Sequence, residues 1–187
     1  MILSNRLPPP LSRPAAIAWS AFYALFLLYA ARCSGEFLFI DNVNLPIHEG
    51  GHLLFSYCGH WLMVAGGTIL QWAAPLMLAV IFWRQRQMAG LVFCLFFFFE
   101  NWLYTATYMA DARALELPLV AVGGGDAEHD WNYLFTSLGC LEADTRIAAC
   151  VRFGGWLGMI ASVALLLCSS FCTQNSANSA NETRDFH

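Results

Sequence analysis

The sequence predicts an all-α fold, a polytopic membrane helix bundle of about four transmembrane helices with a short motif-bearing helix and an interfacial amphipathic helix. Three observations predict it. The chain is 58% hydrophobic and only 12% charged, with a mean hydropathy of +0.53, the composition of a membrane protein. Four apolar runs, near residues 14–31, 66–83, 89–109 and 153–172, each approach the roughly 20 residues that a bilayer core demands. Residues 131–138 repeat apolar side chains at helical spacing in a stretch too polar to span. The 187 residues divide into a cytoplasmic lead (1–13), one membrane-embedded helical domain (14–172) and a polar tail (173–187). The net charge of −4 offers nothing to nucleic acid, and all nine basic residues are arginine.

The lead is Pro-rich. The first run, 14–31, follows Arg6 and Arg13 in the manner of a secretion signal, but no small-x-small cleavage site comes after it. Arg32 before Cys33 also spoils a lipoprotein reading, so a retained span is expected. Residues 33–44 form a short outer loop, and Asn44 is the expected N-cap of a helix from Pro46 to Tyr57 that ends near Gly59. This helix is too short to span. It should lie in the interface or dip in as a re-entrant element. Gly50 and Gly51 inside it each cost about 1 kcal/mol relative to Ala, so a neighbouring helix or an extended substrate must approach the backbone closely. His60 extends the polar cluster or caps a helix end.

The second span opens with Gly66-Gly67-Thr68 and carries Gln71 and Pro75. Small residues let helices approach in lipid, and Gln71 offers a hydrogen bond inside the bundle or behind a ligand. Arg84-Gln85-Arg86 is a very short loop, where the positive-inside rule is most reliable; it puts both termini in the cytoplasm. The third span carries Glu100-Asn101 near mid-membrane, where an ionisable residue is a functional candidate by default. Glu100 and Gln71 are therefore a possible intramembrane polar site. Glu100, Tyr104, Thr107 or Tyr108, and Asp111 share one helical face.

The outer-face loop, 110–152, breaks at Gly123-Gly124-Gly125, after which Asp126 is the expected N-cap of a helix running to Gly139. Its apolar stripe is Trp131, Leu134, Phe135 and Leu138, and His129-Asp130 lies in its first turn. In the last span Gly154, Gly158 and Ser162 repeat every four residues, a small-residue contact face that serves either within the chain or for oligomerisation. The tail reads as disordered, and its Asn181-Glu182-Thr183 sequon would be idle in the cytoplasm. The seven cysteines contain no C-x-x-C; a Cys140–Cys150 disulfide would need an oxidising outer side.

Chemistry concentrates in His48-Glu49-Gly50-Gly51-His52, an H-E-x-x-H string. Histidines at i and i+4 lie about one turn apart on one helix face, so both rings reach one zinc ion, and Glu49 between them can act as general base. A catalytic zinc normally has three protein ligands and one open position. Candidates for the third are Asp111, His129, Asp130, Asp126 and Glu100. Glu100 and Asp111 are eleven residues apart on one helix, about 16 Å at 1.5 Å per residue, so they cannot both bind one ion. The expected third ligand is His129, with Asp111 as the alternative. Whichever does not ligate should support the site from behind, and Asp130 is the next choice for orienting a ligating histidine.

His48, Glu49 and His52 resemble the zincin metallopeptidases, and their setting in a multi-span chain resembles the site-2 protease group of membrane metalloproteases. That resemblance implies zinc, with His48 and His52 as ligands and Glu49 as base. It covers this helix closely; the group's later Asp-Gly motif is absent, and Asp111 in Ala-Asp-Ala-Arg is its nearest analogue by position. Over residues 44–139 the chain is similar to a set of small, uncharacterised bacterial integral membrane proteins. The cues are His-Glu-Gly-Gly-His, Gly-Gly-x3-Gln-x3-Pro, Ala-Asp-Ala-Arg and His-Asp-Trp-Asn-Tyr-Leu. This second resemblance implies a shared architecture in a bacterial inner membrane, and no activity.

The expected function is zinc-dependent hydrolysis, as a metallopeptidase cleaving a protein or peptide at the outer membrane interface; a lipid amide or ester would use the same apparatus. The alternative is a non-enzymatic membrane protein, a metal-binding sensor or a transport or assembly partner. Glu49 separates the two: a binding protein needs the ligands, whereas an enzyme also needs this carboxylate.

Overall fold

The computed structural model describes residues 7–118 and 128–172. The elements are α1 (Arg13–Arg32), α2 (Asp41–Phe55), α3 (His60–Arg84), α4 (Met88–Ala110), α5 (Asp130–Ser137) and α6 (Asp144–Leu167). A 3-10 turn (Leu141–Ala143) leads into α6, and a π turn (Cys168–Cys172) follows it. Among the described residues there is no strand. Four helical stretches are long and apolar enough to cross a membrane: Arg13–Arg32, His60–Arg84, Met88–Ala110 and Leu141–Ser170.

Helix α4 is the centre, packed between α3 and α6. Its buried face joins Met88, Val92, Phe96 and Leu103 to Met159 and Leu166 of α6 and to Tyr23 of α1. The peripheral α1 starts on Pro14, where a missing N–H costs nothing, and buries only Ala16, Tyr23 and Ala30 while Ile17, Leu25 and Leu28 stay exposed. Exposed aliphatic side chains on long helices match a surface facing lipid rather than water.

The small-residue face of α6 is used internally. A Cβ at Gly154 would stand 2.7 Å from the Trp102 ring, and one at Gly158 would overlap the Phe99 ring. A Cβ at Gly155 would likewise stand 2.9 Å from the Phe99 carbonyl of α4. Ser162 turns its hydroxyl onto the Gly158 carbonyl at 2.8 Å, and so needs no partner helix. Gly154 and Gly158 of the repeat thus serve a contact within the chain, against α4.

Several boundaries differ from expectation, each for a local reason. The motif helix begins at Asp41, a turn earlier than Pro46, and ends at Phe55. Asn44 sits inside it, wholly buried, donating through Nδ2 to Asp41 Oδ1 at 3.0 Å. Pro46 is thus interior. Helix α3 starts at His60, because Trp61 to Val64 continue the apolar run upstream of the glycines. Helix α6 starts at Asp144, so Arg146 and Arg152 are helical. Helix α5 starts at Asp130 with His129 as N-cap, its ring Nδ1 accepting the Asn132 N–H at 3.2 Å. Asp126 and the Gly123–Gly125 break lie outside the described residues, as does the 173–187 tail. Trp131, Leu134 and Phe135 pack onto α3 and α4 as the stripe implies, whereas Leu138 is exposed. Cys140 and Cys150 are both free.

Helix α2, at 15 residues too short to span, is laid antiparallel on α3. Gly51 permits this: a Cβ there would overlap the Gly66 carbonyl and come within 2.8 Å of Gly67 Cα. A Cβ at Gly66 would in turn meet the Gly51 carbonyl at 2.8 Å. The close approach that two glycines imply is thus made by a neighbouring helix. At Gly51 no room remains for an extended substrate strand. Gly50 faces Leu70 at an ordinary 3.7 Å.

The two adjacent glycines should therefore behave oppositely. Gly51→Ala forces backbone against backbone and should destabilise the detergent-solubilised protein by about 1–3 kcal/mol. Gly50→Ala has room and gains up to about 1 kcal/mol of helix propensity. Thermal unfolding of both variants checks this, and equal effects would refute the crossing.

Candidate metal centre

Helical spacing puts His48 and His52 on one face of α2, their rings 4.7 Å apart. The Nε2 atoms of both point at one carboxylate oxygen, Asp130 Oδ2, at 2.8 Å from His48 and 3.3 Å from His52. The ligand atoms of these three residues all lie within 4.8 Å of one another. Two imidazole nitrogens and one carboxylate oxygen form a donor set that suits zinc. Bonds of 2.0–2.1 Å to a tetrahedral zinc would place neighbouring ligand atoms about 3.3 Å apart, close to the two nitrogen–oxygen distances of 2.8 and 3.3 Å.

The other ring nitrogens are held from behind. His48 Nδ1 lies 3.1 Å from Gln71 Oε1, and His52 Nδ1 lies 2.9 Å from the Met63 carbonyl. Both partners are acceptors, which favours the tautomer with the proton on Nδ1 and leaves each Nε2 turned to the candidate metal position. Gln71 is itself fixed, donating through Nε2 to Asn101 Oδ1 at 2.8 Å, and Asn101 donates to the Phe97 carbonyl at 2.9 Å. The orientation of His48 thus runs through α3 to the backbone of α4. Gly67 completes the seat: a Cβ there would stand 2.5 Å from His48 Nε2.

Asp130 arrives from the other side, on the first turn of α5. Its N–H donates to the Tyr108 hydroxyl at 3.2 Å, and the Tyr108 ring stands 6.2 Å from that of His48. The Tyr104 ring stands 6.5 Å away, so the two tyrosines of the polar face read on α4 turn toward His48. Asn132 donates to the Ala112 carbonyl at 2.7 Å and Trp61 to Ser137 Oγ at 3.0 Å, tying α5 to α4 and α3.

His129 and Asp111 occupy different places from those expected. Neither joins the group; His129 Nε2 instead stands 3.2 Å from Asp111 Oδ2. Asp111 also accepts the N–H groups of Glu116 at 2.9 Å and Leu117 at 3.1 Å, so it organises the chain leaving α4. Arg113 pairs with Asp144 and Glu142. The physical reason is register: adjacent residues at a helix start point in different directions, so with His129 capping α5 it is Asp130 that faces α2. Glu100 and Gln71 do not meet; Gln71 serves His48, and Glu100 turns to Asp41. His60 stands apart, 3.2 Å from Glu128. Glu49 is half-buried on α2, and among the described residues no hydrogen bond fixes its carboxylate. Asn101, Tyr108 and the Met63 carbonyl are supporting groups that the sequence reading did not assign; Asn101 was visible only as a polar neighbour of Glu100.

Charge follows this geometry. Burial opposes ionisation of Asp130, but the hydrogen bonds and charges of His48 and His52 prevail and hold its carboxyl below the usual range. Burial likewise opposes charge on His52, yet the bond to Asp130 and its charge, with the Met63 carbonyl and Glu49, lift it to about 9. His129 is pushed down by burial against the pull of Asp111. No protein-family model, curated protein or solved structure matches this chain.

Two outcomes are expected. Without metal, the His52–Asp130 pair should stabilise the protein fully below the ordinary histidine value of 6.5 and lose its effect as pH rises through about 9. At the acid end the contribution fades as pH falls below the ordinary carboxylate value of 3.8. Melting of chelator-treated protein across pH, beside Asp130→Asn, checks this; a difference that does not narrow toward alkaline pH contradicts the pair. Gln71→Leu, which removes the acceptor behind His48, should weaken metal binding about 10–100-fold in chelator competition.

Proposed function

We propose that this chain is a membrane-embedded, zinc-dependent hydrolase, a metallopeptidase that cleaves protein or peptide substrates at the outer membrane interface. One observation carries the reading. His48, His52 and Asp130, from two separate elements, converge on one point with both histidine Nε2 atoms directed at it. The carboxylate-bearing residue of the H-E-x-x-H string, Glu49, lies on the same helix between them.

In this reading His48, His52 and Asp130 hold the ion and leave a position open. When bound, zinc supplies Lewis acidity, bringing the pKa of water to about 7 and polarising a carbonyl. Glu49 takes the proton of the attacking water and delivers it to the leaving amine. Gln71 and the Met63 carbonyl keep the histidine rings aimed, and Asn101 keeps Gln71 aimed. Exposed Val43, Leu53 and Leu54 on α2 set the site against lipid-facing surface, which supports a substrate drawn from the membrane. The inner-membrane location with cytoplasmic termini belongs to the same proposal and rests on the arginines of the 84–86 loop.

A non-enzymatic metal-binding protein is the second reading. It is favoured by the lack of a hydrogen bond to the Glu49 carboxylate among the described residues, since a binder has no use for an oriented base. Metal content and turnover decide together. Detergent-purified protein should carry about one zinc per chain by mass spectrometry, as a single three-ligand site requires. His48→Ala, His52→Ala and Asp130→Ala should lose it, whereas His129→Ala should retain most of it. Glu49→Gln should keep the zinc while peptide hydrolysis in micelles drops at least about 100-fold. Hydrolysis surviving that change removes the proposed base, and a chain that never binds zinc removes the whole reading.

A further inference from the structure

Away from the histidines, α2 meets α4 at a second polar cluster that no part of the hydrolase reading uses. Glu100, in the middle of α4, is 0% exposed, and neither of its carboxyl oxygens has a hydrogen-bond donor. Asn44 on α2 is also 0% exposed, and its Oδ1 is likewise without a donor. Asp41, 5% exposed, opens α2 within hydrogen-bonding reach of Glu100. Two acceptors in contact do not bond to each other. Ionised together and out of water, they repel.

We propose that Asp41 and Glu100 form a buried proton-binding site, in which one proton shared by the two carboxyls ties the first turn of α2 to the middle of α4. The surroundings assign the proton to Glu100. Asp41 already has its charge supported, since Oδ2 accepts the Leu38 N–H at 2.5 Å and Oδ1 accepts Asn44 Nδ2 at 3.0 Å. Glu100 has no such support, so its neutral form is the cheaper one, and its O–H donates to Asp41 or to Asn44 Oδ1. The proton is taken up from solvent, and the pair keeps a single negative charge.

Among the described residues, the neighbouring elements offer no cation to do this work. From α2, His48 is engaged with Gln71 and Asp130; from α4, Tyr104 lies one turn beyond Glu100 with its ring against Phe37. From α6, Arg152 bonds Thr107 two turns further along α4, and from α1 the Tyr29 hydroxyl accepts the Phe39 N–H. A metal ion fits poorly: the five side-chain oxygens include two already engaged by Asp41's donors, where a hard divalent cation takes about six or more.

Infrared spectroscopy of the full-length protein in detergent reads the proton directly. At neutral pH, with 13C-labelled glutamate, the wild type should show the carbonyl stretch of a protonated, buried glutamic acid. Glu100→Gln should lose that band while keeping its melting temperature, because the amide N–H replaces the acid O–H. Asp41→Asn should keep the band but shift it to higher frequency, since the acid then faces a neutral acceptor. No glutamic acid band at neutral pH would overturn the proposal, as would a band unchanged in Glu100→Gln. Loss of the band when sodium chloride replaces choline chloride would put a metal cation in place of the proton and overturn it as well. None of these readouts depends on zinc, so they stand or fall apart from the hydrolase reading.

Discussion

The crossing of α2 over α3 is the constraint on which the rest depends. With only hydrogen at Gly51, Gly66 and Gly67, two helix backbones come close enough for the His48 ring to sit against α3 and reach Gln71. A side chain at any of these positions would lift α2 away and point both histidines elsewhere. A short helix among long ones can bury its polar groups only by such an approach, because lipid offers no hydrogen bonds in exchange. The packing and the chemistry of α2 are therefore one problem with one solution.

Much of this was legible in the sequence. Composition and four apolar runs were enough for the fold class, since nothing but helices satisfies the backbone in long apolar segments of this kind. The i, i+4 histidines announced a shared target, and the paired glycines announced a close contact. The boundaries were less legible: Gly66-Gly67 reads as a helix start, although apolar Trp61 to Val64 continue the helix upstream. The lesson is that glycine in an apolar helix marks contact as readily as it marks an end.

The third member of the metal group was harder to read. His129 and Asp130 are sequence neighbours with comparable ligand chemistry, and the choice between them depends on where α5 begins. His129 as N-cap turns its ring to Asn132 and Asp111, and that one-residue register sends Asp130 to the histidines. Placing Asp126 at the cap hides this. Gln71 was visible as a buried polar residue, but its partner was not, because the pairing depends on the depth to which α2 enters the bundle. Glu100 was visible as an anomaly for the same reason, and its counterpart Asp41 was hidden by reading the start of α2 one turn late.

His48 and Asp130 are separated by 82 residues. The two histidines emerge together early in synthesis, yet the carboxylate that completes their group follows only after α3 and α4 have been made. Until then the nascent chain carries a pair of imidazoles with no third donor. A chain interrupted after α3 would hold two of the three donors on one helix with nothing to close the group, so the convergence on one point is a property of the completed bundle alone.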